Sequence, residues 1–420
     1  MRARHAIGMA IVCGAVFPSI SEAQSNSCQV NIDSVGGTGR QIELSQQRFR
    51  YHMGGGVWAH CIGQLTQMRS DSVAGYSEFH RLDMLGDVWF QDTSVVLTSD
   101  RAVYFLADER LEAYGNVILT NRTTGSSLSG PNLTYYRKVV GLRDSAEVFA
   151  TGRPTVEYRS EEDPRAEPYV IIGDRIRFRG SSAAWVGGNV DVTRSDLTAH
   201  ADSATLDASL GDGQFIGDAQ ITGGDSASYD LAARSIRFRI EENELTWVQA
   251  RSDARAASEA WNLTADTLEF ELAGGLIESG IAWGDSVTPA ATSADYVVTS
   301  DSMEIDTPDQ VLQELRAYGD ALARSAATSS EEESDWVSGE LLTVQFGSDE
   351  TGKRIIRTLD AEGDARAFYK LYGESSPSRP GINYSRGDRI IARFGSRGIE
   401  QVDVFGNADG VYLEPGERLE

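Results

Sequence analysis

The chain has 420 residues, with 38 Lys and Arg against 63 Asp and Glu, and a formal net charge of −25 at pH 7. A nucleic-acid-binding protein needs a basic surface for the phosphates, so this charge excludes nucleic acid as a partner. The same charge disfavours electrostatic docking on anionic membranes. The 42 Gly and 10 Pro supply many turns without a low-complexity bias.

The first 23 residues have the layout of a secretory signal peptide. Arg2 and Arg4 precede a short apolar run over residues 6–17, and the Ser-Glu-Ala of residues 21–23 is a small-x-small cleavage site. The apolar run is too short to span a bilayer, and no later run reaches the roughly 20 apolar residues of a transmembrane helix. We therefore expect residues 1–23 to be removed on export; a buried N-terminal helix is the less favoured alternative.

Two cysteines, Cys28 and Cys61, remain after removal of that segment. In an oxidising export compartment, a disulfide is the expected state of such a pair. A metal site would have to recruit His52, His60 and His80 around the cysteines, and this spacing matches no compact zinc pattern. We therefore expect a disulfide, and no metal or other cofactor.

A short motif recurs along the chain, in which a small residue and Asp precede an alternating apolar stretch. Seven copies have the Asp and three have another residue in its place. Self-similarity at this spacing is typical of stacked repeat architectures. We call this two-residue motif the slot. The slots are Ser70-Asp71, Ser99-Asp100, Ser129-Gly130, Gly173-Asp174, Ala201-Asp202, Ala233-Arg234, Ala265-Asp266, Ser300-Asp301, Ser338-Gly339 and Gly387-Asp388.

The residues after each slot alternate between apolar and polar with period two. In Arg175–Arg179, Ile176 and Phe178 fall on one face and three arginines fall on the other. This pattern is typical of a β-strand with one buried and one solvated face. Helical periodicity is almost absent, so we predict an all-β fold.

A second motif, of the form Leu-x-Ala-x-Gly-Asn-Val, lies between the slots. Leu111–Val117 has a near copy in Leu315–Ala321. Alternate residues of the first copy are apolar, which places its glycine on the apolar face of a strand, where glycine permits a bend or a bulge. The repeat glycines are Gly86, Gly115, Gly188, Gly217, Gly319, Gly363 and Gly406.

Each unit is therefore predicted to be a strand, a turn and a bent strand, which gives about twenty antiparallel strands in an elongated body. At about 4.8 Å between neighbouring strands, one file of that many strands is about 100 Å long. We assign residues 24–53 to N-terminal lead-in strands and residues 54–420 to the repeat-built body. That body forms either one roll or two consecutive segments with a break near 322–336.

The alternation of the two motifs resembles the OstA-like family, which includes the lipopolysaccharide-transport proteins LptA and LptC and the N-terminal domain of LptD. Ser99–Leu119 is especially similar to that pattern, and the repeats extend the resemblance over about residues 50–420. The resemblance implies a twisted β-jelly roll, open along one edge, whose apolar groove holds acyl chains of lipopolysaccharide or a related lipid. The chain departs from the family in being about twice as long as a stand-alone bridging subunit.

The resemblance also implies a cellular location and a mode of assembly. Members of the family act in the periplasm, in contact with the outer membrane at one end of a bridge. They join end to end through exposed edge strands, so the implied protein partners are other Lpt-type periplasmic or outer-membrane components.

The candidate groove residues are mostly those two and four positions after the second slot residue. Burial of an acyl chain against them gains about 0.8 kcal/mol per CH₂ without charge pairing. The same alternation also fits a closed core between two sheets, so an open groove and a closed core both remain as hypotheses. The candidates are Val73, Tyr104, Tyr135, Ile176, Phe178, Leu206, Ile236, Phe238, Leu268, Phe270, Met303, Ile305 and Ile390.

Two other classes of protein are alternatives to a lipid carrier. A surface-exposed structural or adhesive β-solenoid would have similar repeats. A polysaccharide-acting enzyme needs a pair of carboxylates that stands out from the repeat, whereas these aspartates recur at equivalent turn positions. The sequence has no Ser/His/Asp order, His-Glu-x-x-His or phosphate loop, so we expect no enzymatic activity and no catalytic residues.

Overall fold

The computed structural model describes residues 28–45, 48–159, 165–181, 183–207, 209–223, 229–242, 244–258, 261–308, 311–325, 334–348, 354–373, 376–395 and 398–414. These ranges are mostly β-strand, with a 3-10 turn at Ser77–Phe79 and no α-helix. They accordingly include no helix that could span a bilayer. The predicted signal peptide lies outside the described residues.

The described ranges form 28 strands in chain order. The first fourteen are β1 Val30–Val35, β2 Gly39–Ser45, β3 Arg48–Cys61, β4 Gln67–Tyr76, β5 Arg81–Gln91, β6 Val95–Phe105, β7 Arg110–Asn121, β8 Ser127–Tyr136, β9 Glu147–Thr151, β10 Thr155–Tyr158, β11 Tyr169–Ile172, β12 Arg175–Arg179, β13 Ala183–Arg194 and β14 Leu197–Asp207. The others are β15 Asp212–Gly223, β16 Tyr229–Glu241, β17 Glu244–Ser258, β18 Asn262–Ala273, β19 Leu276–Trp283, β20 Ala290–Thr292, β21 Tyr296–Thr299, β22 Ser302–Asp306, β23 Glu314–Ser325, β24 Trp336–Ser348, β25 Arg354–Gly373, β26 Ser376–Gly395, β27 Gly398–Phe405 and β28 Asp409–Leu413.

The strands pair in chain order, and the pairings are antiparallel. Some strands are broken by a short turn into two halves that pair with the same neighbour, as β9 and β10 do with β8. The pairs β1/β2, β11/β12, β19/β20, β21/β22 and β27/β28 are broken in the same way. The described residues therefore form one antiparallel meander, and the predicted all-β fold of about twenty strands is confirmed.

The meander continues through both positions where the sequence suggested a boundary. The lead-in strands β1 and β2 both pair with β3, so they belong to the same sheet as the strands that follow. Near 322–336, β23 pairs with β24 from Glu314 opposite Gln345 to Arg324 opposite Trp336.

The long strands bend at corners where the pairing register shifts. At the corner of β7, Gly115 and Asn116 together lie opposite Asp100 of β6, and their φ angles are 72° and 45°. This is a β-bulge built from two left-handed residues. A Cβ added to Gly115 would lie 2.4 Å from Oδ2 of Asp100, so the slot aspartate occupies the space beside the glycine.

The same aspartate–glycine contact recurs at five other corners, and at a sixth the added Cβ would meet Glu340, which directly follows a slot. The asparagine after the glycine also contributes, since Asn116 Nδ2 donates to Asp100 Oδ2 at 2.9 Å. The two motifs of the sequence are therefore the two sides of one corner. The other pairs are Gly86 with Asp71, Gly188 with Asp174, Gly217 with Asp202, Gly319 with Asp301, Gly406 with Asp388, and Gly363 with Glu340.

One feature of the corner differs from the sequence prediction, which placed the repeat glycine on the apolar face. An added Cβ on Gly115 would point to the carboxylate of Asp100, an exposed residue, and not to the apolar interior. The reason is that the bulge adds a residue to the strand, so the alternation of faces does not pass unbroken through the corner.

The corners fold the meander into two layers that face each other. Each bent strand contributes one half to layer A and the other half to layer B. Layer A begins with β1 and ends with β28, whereas layer B begins with β2 and ends with β27. Phe90 of β5 pairs with Leu97 of β6 in layer A. If β6 were straight, Leu97 and Tyr104 of that strand would lie about 23 Å apart. The ring centroids of Phe90 and Tyr104 are nevertheless 5.9 Å apart, which requires the two halves of β6 to face each other. The result is an elongated, β-jelly-roll-like fold: the repeats predict the elongated all-β body, and the family resemblance implies the jelly roll.

The corner contact can be tested by adding a methyl group to its glycine. We expect Gly115→Ala to lower the free energy of unfolding by about 2–3 kcal/mol, because the Cβ adds a clash with Asp100 to the strain of a positive φ. Gly274→Ala is the control, since Gly274 has a φ of 57° with nothing within 4 Å of an added Cβ, and it should cost only about 1 kcal/mol. Urea unfolding measures both, and equal losses would contradict the role of the aspartate.

Candidate functional site

The thirteen groove candidates all lie in layer B, in two side-by-side rows that pass from strand to strand through paired residues. In the first row a large side chain is often paired with alanine, as Ile236 is with Ala250 and Leu268 with Ala282. The first row contains Val73, Ile176, Ile236, Leu268, Met303 and Ile390. The second contains Tyr104, Tyr135, Phe178, Leu206, Phe238, Phe270 and Ile305.

Most of the candidates are packed tightly between the layers. Phe178 and Leu206 are half-buried and the other candidates are buried. Phe238, for example, lies beside Phe215 of the adjacent strand in layer B, with 4.9 Å between their ring centroids, and both side chains are buried. At such levels the interior is a closed core, and an open space has to be sought elsewhere along the roll.

Such a space lies between the layers beside Tyr135, Phe178 and Leu206. It is a cavity of about 380 Å³, which we call the central cavity. We call the end of each layer that carries the hairpin turns, opposite the corners, its outer end. Residues of these turns, including Thr123 and Ser181, also line the cavity, so its mouth lies between the outer ends of the two layers. Its apolar lining includes Val95, Leu119, Leu128, Val156 and Ile171 from layer A and Tyr135, Val148, Phe178, Ala184 and Leu206 from layer B.

A group of buried charges joins the two layers at one end of the central cavity. Arg137 Nη1 donates to Glu109 Oε2 at 2.6 Å, and Arg137 Nε lies 3.4 Å from Asp92 Oδ2. The exposed fractions of Glu109, Asp92 and Arg137 are 0%, 3% and 9%. Asp92 lies at the outer end of layer A and Glu109 at the outer end of layer B, so Arg137 ties those ends together.

Two tyrosines complete this group, which we call the buried polar cluster: Asp92, Tyr104, Glu109, Tyr135 and Arg137. The Tyr135 hydroxyl donates to Asp92 Oδ2 at 2.8 Å, and the Tyr104 hydroxyl donates to Glu109 Oε2. Burial raises the pKa of both hydroxyls above the ordinary value, and the neighbouring carboxylates raise it further. The cluster therefore holds both tyrosines as neutral hydrogen-bond donors.

The N-terminal cysteines lie next to the buried polar cluster. Cys28 and Cys61 form a disulfide with 5.0 Å between their Cα atoms, and the backbone N–H of Cys28 donates to Glu109 Oε1. His60, one residue of the zinc alternative, has its Nδ1 2.7 Å from Asp33. In the described ranges, no group of three or more His, Cys, Asp and Glu side chains is placed to hold a metal ion.

A second space opens on the far side of the cluster. This N-terminal cleft has a volume of about 1200 Å³ and is lined by residues of β1 and β3–β5, including Ile32, Met53 and Leu82. Gln64 also lines the cleft, and its Oε1 accepts a hydrogen bond from Arg137 Nη1 at 2.9 Å. Because Tyr135 lines the central cavity, the buried polar cluster separates the two spaces.

The sequence does not mark the charged residues of this cluster. Asp92 and Glu109 lie in polar turns that look like the other acidic turns, and they belong to neither motif. Their partner Arg137 follows β8 in a stretch without a repeat copy. Only the facing of the two layers brings the three together.

Comparisons with known proteins give a similarity in structure but none in sequence family. No family model matches the chain, and neither does any curated protein. The chain is similar in structure to LptH from Pseudomonas aeruginosa, described as the LptA homologous periplasmic component of the conserved lipopolysaccharide transport device. The two are 17% identical, with 33% of this chain and 90% of LptH covered and a TM-score of 0.25. This similarity is too low to assign a family, so the fold rests on the strand pairing described above.

The role of Arg137 can be tested by removing its charge. We expect Arg137→Met to lower the free energy of unfolding by about 3–5 kcal/mol, because Asp92 and Glu109 would stay buried without a cation. Arg153→Met is the control: Arg153 is half-exposed and pairs with exposed Asp174 and Asp191, so its loss should cost less than about 1 kcal/mol. Similar losses for the two variants in urea would mean that the cluster does not hold the layers together.

The buried tyrosines predict a loss of stability at alkaline pH. Their folded-state pKa lies above the value of about 10 for an unfolded chain, so above pH 10 the folded state binds more protons and stability falls. Below pH 10 this contribution is fully present. We expect part of the tyrosinate absorbance at 295 nm to appear only with unfolding, and a Tyr104→Phe/Tyr135→Phe variant to reduce that part. Complete ionisation near pH 10 with native far-UV circular dichroism would refute the prediction.

Proposed function

We propose that the protein binds lipid acyl chains in the apolar interior of a periplasmic β-jelly roll and acts in lipopolysaccharide transport and outer-membrane assembly. The observation that carries the proposal is the central cavity, an apolar space between the layers lined by Tyr135, Phe178 and Leu206. The sequence resemblance to the OstA-like family is an independent argument in the same direction. The proposal contains no catalytic step.

An acyl chain needs no charge pairing to bind in such a space. Ten buried methylene groups gain about 8 kcal/mol, against a cost of association of about 4 kcal/mol or more. Arginines on the outer face pair with carboxylates of neighbouring strands, as Arg177 does with Glu147 at 3.1 Å. The lipid would therefore meet apolar side chains inside and a mixed, mostly acidic surface outside, where divalent cations can bridge phosphate headgroups.

The two ends of the roll support the bridging part of the proposal. Among the described strands, β1 and β2 pair only with β3, and β27 and β28 pair only with β26. Val411, Tyr412 and Leu413 of β28 are all at least half exposed. An exposed edge of this kind can receive a strand from another protein, which is how other Lpt-type components would join the roll end to end.

One observation favours the structural or adhesive alternative. Most apolar side chains of the interior are buried, as Phe215 and Phe238 are. A closed interior is what a purely structural roll needs. Lipid that is extracted by solvent from the purified protein and identified by mass spectrometry would favour the carrier, whereas its absence after expression in lipopolysaccharide-producing cells would favour the alternative.

Photo-crosslinking at matched positions tests the lipid site directly. We expect p-benzoylphenylalanine in place of Phe178 to crosslink to lipid, because this side chain lines the central cavity. The same residue in place of Trp185 should not, since Trp185 pairs with Arg177 on the opposite face of the sheet and is 36% exposed. Equal labelling at both positions, or none at Phe178, would contradict the proposal.

A further inference from the structure

We infer that the central cavity is a site for a single-chain anionic lipid, a long-chain fatty acid, bound with its carboxylate at the mouth beside Lys138 and Arg159. The inference rests on the proposed acyl-chain function and names the class of ligand. It is carried by the volume of the cavity, by the charges at its mouth and by the charges of the buried polar cluster at one end of it.

The volume of the cavity sets the number of chains. At about 30 Å³ per heavy atom, the share of a water molecule in the liquid, 380 Å³ hold about a dozen carbon atoms. That is one acyl chain of medium to long length. A lipid with several acyl chains would leave most of its apolar surface outside this cavity, in contact with water.

The mouth of the cavity carries two cations on a protein of strongly negative net charge. Lys138, which is exposed, and Arg159, which is half-buried, both line the cavity. Arg159 Nη1 donates to the carbonyl oxygen of Ala166 at 3.0 Å, and no carboxylate of the described residues lies within ion-pair distance of Lys138 or Arg159. Among the described residues of the lining the charged side chains are Lys138, Arg159 and Asp144, so two of the three are cations.

The end of the cavity at the buried polar cluster has the opposite character. Tyr135 presents its ring to the cavity, while its hydroxyl donates to Asp92 in the buried polar cluster. Asp92 and Glu109 share the single cation Arg137, so an anion placed there would be repelled. A fatty acid can therefore enter with its methyl end towards Tyr135 and leave its carboxylate beside Lys138 and Arg159.

Two ligands with the same chain distinguish the contribution of the carboxylate to the affinity from that of the acyl chain. We would measure the affinity of the full, signal-free chain for dodecanoate and for dodecanol, which has the same chain without the charge, by isothermal titration calorimetry. We expect dodecanoate to bind at least tenfold more tightly at low salt, and this preference to shrink as salt is added. Fatty acids longer than about fourteen carbons should gain no further affinity, because the cavity is full.

Variants at the mouth test the assignment of the two cations. Lys138→Gln/Arg159→Gln should lower the affinity for dodecanoate at least tenfold and change that for dodecanol less than twofold. The control Arg234→Gln/Arg366→Gln removes two charges from exposed side chains elsewhere and should change neither affinity. Ala184→Phe, which fills the cavity, should abolish binding of both ligands.

The outcomes distinguish this inference from the function on which it rests. Equal affinity for dodecanoate and dodecanol would overturn the carboxylate site and leave acyl-chain binding in place. Binding of lipopolysaccharide or of vesicles of phosphatidylglycerol, without binding of dodecanoate, would overturn the single-chain ligand and support the proposed function. Failure of all these probes to bind a folded protein would overturn both.

Discussion

The contact between a slot aspartate and the glycine of the next strand is the constraint on which the architecture depends. It lets two consecutive residues adopt left-handed angles and fills the space beside them with a carboxylate, as Asp100 does beside Gly115. Without this corner, strands of ten residues or more would continue straight and form a single flat sheet with both faces wet. With it, each strand crosses from one layer to the other, and its apolar face meets the apolar face of the opposite layer. The interior exists because the corner recurs.

The interior that results is not uniform along the roll. Where large aromatic rings lie side by side in layer B, as Phe215 and Phe238 do, both rings are buried. Where the rows carry smaller or half-buried side chains around Phe178, the layers leave the central cavity. The buried polar cluster then divides that cavity from the N-terminal cleft. A buried ion pair contributes little net stability compared with apolar packing, but its directional bonds fix which outer ends of the two layers meet. Arg137 is therefore better understood as an alignment device than as a source of stability.

The sequence predicts the strands well, because alternation and corner chemistry are local. Ile176 and Phe178 follow a slot at fixed spacing, and their common face could be assigned without knowing which strand lies beside them. The orientation of Gly115 could not, because it depends on an extra residue whose effect appears only in the pairing with Asp100. The central cavity and the buried polar cluster were also beyond prediction. They arise from contacts between opposite layers, such as Tyr135 with Asp92, which no periodicity within one strand reports.

The pairing of each strand with its neighbours in the chain has a consequence for how the molecule forms. A strand needs as its partner only the strand that came before it, so the sheet can lengthen from the N-terminus while later residues are still being synthesised. The free edge of the growing roll always belongs to the last strand added. The Cys28–Cys61 disulfide and the buried polar cluster lie within the first eight strands, and once formed they provide a finished template for everything that follows. Assembly of the chain is then vectorial, and the edge left open at its completion is the one at which growth stopped.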